Sequence, residues 1–291
     1  LNKTPETAPS GNVSTANSGR KPLTFTLNWI TRPVFGLLLA ALAVAALYKG
    51  GFYFALLIAV VIVTAAREWH RMIAQGKFTE EFIVTSFVVI AALCIEVAKP
   101  GSFWPWVLIG VGAVISFALA SLRGRLAFWE AGGVLYLGIP ALTMVMLRIL
   151  PEGGFWLLLA FLISIWATDT GALVFGNLIG GPKLWPALSP NKTWAGFFGG
   201  ILLAAIAGGI MFAIMHLGAG RGAVFAALVG VMAHMGDLFE SKVKRTFRIK
   251  NSGGLIPGHG GVLDRIDSTL LALPVLAAVV FVAGINPVVI A

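Results

Sequence analysis

Between Gly236 and Ser268 the chain gathers four of its 12 acids, Asp237, Glu240, Asp264 and Asp267, among six of its 21 cations. Asp237 and Ser241 are spaced i, i+4 and share one helix face, which carries Lys244 or Arg245 on the next turn. Asp264 and Asp267, at i, i+3, share a face if the last helix begins near Leu263. Two carboxylate-bearing helix ends joined by a basic, glycine-rich loop suit magnesium-assisted phosphoryl or nucleotidyl transfer. Mg²⁺ is a hard cation bound through one or two carboxylates and substrate phosphates, and Lys and Arg neutralise charge on a leaving pyrophosphate. Gly258, Gly260 and Gly261 would let backbone N–H groups approach phosphate oxygens, and His259 between them could hydrogen-bond phosphate or donate a proton. A polybasic loop that only orients helices and touches anionic lipid is the alternative, but such a loop has no need of four carboxylates.

Upstream, Asp169 lies in Trp166-Ala-Thr-Asp-Thr-Gly-Ala172 inside an apolar stretch, where an ionisable group costs several kcal/mol unless paired or hydrated. It reads either as a functional group or as a buried Asp bonded to a neighbouring hydroxyl or amide. Ser189, Lys192 and Thr193 precede another apolar run and could combine hydroxyls, a cation and a helix N-terminus around a phosphate. The same residues also fit a turn with a Thr N-cap and a snorkelling lysine. After the second apolar stretch, Arg67, Glu68, His70 and Arg71 read as interfacial anchors, and Trp104, Trp106 and Trp129 as an interfacial belt.

These groups must be carried by membrane helices. The chain has 291 residues, 58% of them apolar, or about 70% with the 35 glycines, and only 11% charged. That is too little polar surface for a water-soluble globule. Nine apolar stretches follow, near 33–48, 51–66, 82–98, 103–120, 132–149, 155–180, 195–217, 221–240 and 268–288. Several are short for a ~30 Å hydrocarbon core. The first two, parted only by Lys49, Gly50 and Gly51, form a tight helical hairpin or one broken element. An all-α polytopic membrane protein of about nine transmembrane helices is therefore expected. Its organisation reads as a disordered cytoplasmic tail over 1–31, N-terminal transmembrane helices over 32–150 and a C-terminal catalytic region over 151–291. Residues 1–31 lack the apolar h-region of a secretory signal. The single cysteine, Cys94, excludes an intrachain disulfide and a cysteine-based metal site, and it reads as a packed side chain.

The net charge of +9 would suggest nucleic acid in a soluble protein; here it reads as cations kept on the cytoplasmic side. With nine spans, the segments on the N-terminal side hold 17 of the 21 Lys and Arg, leaving only Lys49, Lys99, Arg148 and Arg221 opposite. That asymmetry places the N-terminus in the cytoplasm.

The C-terminal residues resemble the phosphatidate cytidylyltransferases, or CDP-diglyceride synthases. The family's signature runs Ser-x-apolar-Lys-Arg, four residues, Lys-Asp, a small residue, then a link to His-Gly-Gly-apolar-x-Asp-Arg-apolar-Asp. Ser241, Lys244, Arg245, Lys250, Ser252, His259, Gly260, Gly261, Val262, Asp264, Arg265, Ile266 and Asp267 match it at the same spacing. Residues 166–172 and 189–196 also resemble family motifs, whereas the N-terminal spans match only in character. Asn251 stands where the family usually has Asp, and Asn191 where a second lysine is common. Asn keeps an oxygen acceptor and loses the charge, so a hydrogen-bonding role is expected at 251.

The resemblance implies transfer of the cytidylyl group of CTP to phosphatidate with Mg²⁺, at the cytoplasmic face of the cell inner membrane. It implies Asp237 and Asp264 as metal-site carboxylates supported by Asp267. Lys244, Arg245, Lys250 and Arg265 would serve the triphosphate. Ser189, Lys192 and Thr193 would hold a phosphate, and Asp169 a cation or polar groups. A homodimer is compatible with so small a bundle, although no residue points to one. A CTP-dependent polyprenol kinase is the rival enzyme. A transporter of anionic metabolites is the rival of another class, but no paired internal repeat is visible and the acids cluster at one interface.

Overall fold

The computed structural model describes residues 24–151, 153–254 and 260–282. Gly258 and His259 lie outside them, as do residues 1–23 of the expected tail. The described residues form nine helices: α1 (Thr24–Lys49), α2 (Gly51–Ile73), α3 (Glu80–Ala98), α4 (Trp104–Leu122), α5 (Ala127–Ile149), α6 (Gly154–Leu178), α7 (Trp194–Ile214), α8 (Ala219–Thr246) and α9 (Leu263–Phe281). Two short antiparallel strands, β1 (Lys183–Trp185) and β2 (Ser189–Thr193), form a hairpin between α6 and α7, with Lys183 opposite Thr193 and Trp185 opposite Ser189. Seven helices, α2 to α8, are long and apolar enough to cross a membrane. In α1 the apolar portion is shorter, Gly36–Lys49, and α9 opens with Asp264, Arg265 and Asp267.

Helix α1 begins at Thr24, so residues 24–31, expected as part of a disordered tail, are helical. Phe25, Leu27, Trp29 and Ile30 extend the apolar character of the first span backwards. The first two stretches are two helices and not one broken element. Gly50 adopts φ +64° between them, and Arg148 of α5 donates from Nε to the Leu47 carbonyl at 2.7 Å and from Nη2 to the Tyr48 carbonyl at 3.3 Å. These carbonyls end α1 without intrahelical partners, and the guanidinium satisfies them. A Cβ at position 50 would lie 2.6 Å from Arg148 Nη2.

The charged end of α2 is only half an interfacial anchor. Arg67 and Arg71 are exposed as expected, but the helix continues to Ile73 and carries Glu68 and His70 into the interior. His70 Nδ1 pairs with Glu130 of α5, and its Nε2 lies 2.8 Å from the Thr85 hydroxyl of α3. Arg125, ahead of α5, reaches Glu80 and Glu81 at 2.6 Å each. Polar partners thus join α2, α3 and α5 at one end of the bundle. Cys94 is exposed on α3, contrary to the packed position expected. Lipid tails are as apolar as a protein core, so an apolar run on a membrane helix does not mark its inward face.

Helices α6 and α7 pack through small residues, which let backbones approach closely. A Cβ on Gly171 would stand 2.6 Å from the Gly199 carbonyl oxygen and 2.9 Å from the Gly200 Cα. Those neighbours are backbone, so α7 itself would have to move. Gly171→Ala is expected to destabilise the protein by about 1–3 kcal/mol. Thermal unfolding in detergent checks this beside Gly132→Ala on α5, which meets no atom within 4 Å and should leave the transition unchanged.

Candidate active site

Helix α8 presents Asp237, Glu240, Ser241 and Lys244 along adjoining turns. Gly236 brings α9 against it, because a Cβ there would lie 2.5 Å from the Asp267 carbonyl oxygen. From the hairpin, Lys192 Nζ donates to Asp237 Oδ2 at 2.6 Å. The next residue, Thr193, is buried and caps α7, its hydroxyl accepting the Gly196 N–H at 3.1 Å. The N-cap reading of Thr193 holds, while Lys192 pairs with a carboxylate and does not snorkel.

A polar cavity of about 510 Å³ opens here, with Asp169, Asn191, Lys192, Thr193, His234 and Asp237 in its wall. Close α6–α7 packing sets Asp169 across from the hairpin. An apolar groove of about 410 Å³ between α1, α2, α5, α6 and α9 has Leu39, Phe54, Ile62 and Leu270 along its length and Trp166, Asp169 and Arg265 as polar or amphipathic lining. Asp169 lines both spaces.

A second knot of charge sits at the start of α9. Lys244 Nζ lies 2.8 Å from Asp264 Oδ1 and 3.3 Å from Glu240 Oε1, the latter residue fully buried. Asp264 also accepts the Ser252 N–H, at 3.2 Å to Oδ2, and the Gly261 N–H at 3.0 Å. Asp264 precedes the apolar part of α9. Burial alone would raise its carboxyl, but the Lys244 hydrogen bond and the backbone donors outweigh that and hold it below the usual range. Asp267, three residues on, accepts the Ser268 N–H at 2.8 Å.

The site residues expected from sequence therefore fall into groups. Asp169, Lys192, Thr193 and Asp237 share the polar cavity; Lys244 and Asp264 join the knot, with Asp267 three residues further along α9; Arg265 lies on the groove. Gly261 serves the knot through its N–H, and Gly260 turns the chain at φ +82°. Arg245 instead donates from Nε to the Leu188 carbonyl at 3.4 Å and from Nη1 to the Ile249 carbonyl at 3.2 Å, tying the hairpin to the end of α8. Ser189 pairs with Trp185 away from the cavity wall, Ser241 is half-buried on α8, and Lys250 is exposed. Asn251 lines a third cavity, about 620 Å³, with Arg67, Arg71 and Arg248. Glu68, read from sequence as an anchor, is the residue missed: it accepts hydrogen bonds from Ser252, Val262 and Leu263.

Among the described residues no three His, Cys, Asp or Glu side chains gather as a metal cage. Asp237 and Asp264 each hold a lysine ammonium, so both are complementary to a cation. One or two carboxylates completed by substrate phosphates is the arrangement Mg²⁺ takes in phosphoryl-transfer sites, and these residues fit it.

Helices long and apolar enough to cross a membrane, packed around carboxylates and lysines, with Asp169 in the wall of both a polar cavity and an apolar groove, define an integral membrane protein with a charged site. Residues 30–283 match the model of the cytidylyltransferase family, and the chain belongs to that family. It is 35% identical over 253 residues to a phosphatidate cytidylyltransferase of Brucella suis, covering 86% of this chain and 92% of that one. A phosphatidate cytidylyltransferase of Staphylococcus epidermidis is 42% identical over 169 residues, 56% of this chain and 64% of that one. The family expected from the C-terminal signature is the family found.

Proposed function

We propose that this chain transfers the cytidylyl group of CTP to phosphatidate, giving CDP-diacylglycerol and pyrophosphate for phospholipid synthesis. The observation that carries the reading is the meeting of the polar cavity and the apolar groove at Asp169. The cavity suits a triphosphate and the groove an acyl chain. A phosphatidate oxygen attacks the α-phosphorus of CTP, and the bond from that phosphorus to the bridging oxygen of the β-phosphate breaks, releasing pyrophosphate. The attacking phosphate monoester is already anionic at neutral pH, so no general base is required. Catalysis is then positioning and charge neutralisation.

In this reading Lys192 and the Thr193 turn hold a phosphate in the cavity, and Ser189 shapes the hairpin that presents them. Arg265, which lines the groove, meets the lipid phosphate in place of the triphosphate role expected from sequence, and Asp169 orders the polar groups where the two substrates join. Lys244, Arg245 and Lys250 add positive potential on the triphosphate side, and Ser241 and Asp267 support the α8 and α9 carboxylates. Phosphate binding, the role expected from sequence for Gly258, His259, Gly260 and Gly261, is kept for them in this reading. Asp237 and Asp264, with the substrate phosphates, would hold Mg²⁺, which supplies neutralisation of the charge on the leaving pyrophosphate. Nine spans with a cytoplasmic N-terminus, placing the site at the cytoplasmic face of the inner membrane, are supported by the lopsided distribution of Lys and Arg.

Incubating the purified protein in detergent with phosphatidate, Mg²⁺ and CTP labelled at the α-phosphorus tests the reading. Label is expected in the lipid phase, absent when the γ-phosphorus carries it and lost when a chelator removes the metal. Lipid-bound γ-label would instead make the protein a CTP-dependent lipid kinase.

A further inference from the structure

The first turn of α9 has N–H groups that its own N-cap residue leaves without a side-chain partner: Val262 occupies the N-cap position and offers none. The cap comes from α2. Glu68 Oε1 accepts the Val262 N–H at 3.0 Å and Oε2 the Leu263 N–H at 2.8 Å, across 194 and 195 positions of sequence. Oε2 also accepts the Ser252 hydroxyl at 3.2 Å. Only 6% of Glu68 is exposed. A carboxylate at this end of a helix satisfies donors that otherwise have no intrahelical partner and complements the helix dipole.

Ser252 is the shared link. Its hydroxyl goes to Glu68 and its N–H to Asp264, while Gly261, beside Val262, gives its own N–H to Asp264. Glu68 and Asp264 therefore each hold both Ser252 and the chain entering α9. Two glycines leave room for this grip: a Cβ on Gly253 or on Gly261 would run into the Glu68 carboxylate. Room for the carboxylate is a reason for glycine at 253 that no turn geometry requires.

We infer that Glu68 is a positioning residue for the transfer reaction. It docks the loop and the start of α9 onto α2 and so fixes the direction in which Asp264 faces its partners. This rests on the cytidylyl-transfer reading for its effect on rate, but the clamp itself is a matter of backbone protection. The influence of Glu68 passes through Ser252, Val262 and Leu263 to Asp264.

The test uses the whole protein in detergent with four forms: wild type, Glu68→Ala, Gly253→Ala and the double variant. Glu68→Ala is expected to lower kcat by about ten- to a hundredfold, the scale of misplacing a reacting group by about 1 Å, with KM for CTP changed much less. Amide hydrogen exchange at Val262 and Leu263 should accelerate in the same variant. Gly253→Ala, which keeps the carboxylate but displaces it, should reproduce both changes. Adding it to Glu68→Ala should change nothing further, since the group it displaces is gone. Unchanged exchange at 262 and 263 in Glu68→Ala, unchanged kcat, or losses that multiply in the double variant would each overturn the inference. If Glu68→Ala does not fold, Gly253→Ala carries the exchange and kcat measurements by itself. A wild-type protein that puts no cytidylyl label into lipid would refute the activity, whereas unaltered exchange would refute the clamp, so the two failures are told apart.

Discussion

Asp237→Asn is expected to lower the rate of label transfer from CTP to lipid by about 100- to 1,000-fold, the scale on which removing one preorganised electrostatic group from a reaction site acts. The substitution preserves shape and an acceptor oxygen but takes the negative charge from the cavity wall, where Lys192 lies 2.6 Å away. Both partners are partly exposed, at 28% for Lys192 and 21% for Asp237, so fold stability should change far less than rate. Measured turnover beside a thermal transition separates the two. A variant that melts like wild type and turns over within about fivefold of it would remove Asp237 from the reaction.

Lys244→Met is expected to act mainly on the fold. The methionine keeps most of the apolar stem, but the ammonium it removes is the shared counter-charge of Asp264 and the fully buried Glu240. Breaking a buried ion pair by deleting one partner typically costs about 3–5 kcal/mol, because the remaining charge stays desolvated. Lys244 and Asp264 are each 14% exposed, so solvent relieves little of this. A lowered thermal transition, with activity lost in proportion to unfolded protein and to the loosened loop, is the expected outcome. Stability within about 1 kcal/mol of wild type would mean that Glu240 and Asp264 do not depend on this lysine.

The helices were legible because apolar runs of membrane length leave few alternatives. Gly51 opens α2 where the run begins, and the stretch expected at 103–120 is helix Trp104–Leu122. The ends were less legible wherever charge is buried. The run after Gly51 loses its apolar character at Arg67, yet α2 continues to Ile73, since His70 meets Glu130 and Thr85 inside the bundle. Likewise α8 continues to Thr246, six residues past its expected end at 240, carrying Lys244 into the knot.

In the site, an acid within an apolar stretch announces itself, and Asp169 was singled out on that ground, whereas Asp237 was singled out by the density of acids and cations between 236 and 268. Glu68 gave no such signal. At the end of a span it looks like any interfacial carboxylate, and its partners are nearly two hundred positions away. The segment was read as a phosphate site or a capped turn and its strands were not foreseen, because strands of three and five residues around Pro186 and Pro190 leave no alternating pattern to detect. That blind spot also hid the attachment of Arg245 to Leu188.

Because Asp169 borders both the polar cavity and the apolar groove, the proposed reaction would divide traffic through the protein between two media. The nucleotide would arrive by three-dimensional diffusion from water and the lipid by two-dimensional diffusion within the leaflet, so that neither has to cross the other's route. The two products would separate in the same way: the liponucleotide into the bilayer and pyrophosphate into the solvent. The relevant measure of lipid supply is then its mole fraction in the membrane, not its amount per volume. A neighbouring lipid enzyme can take the product directly from the plane in which it was released.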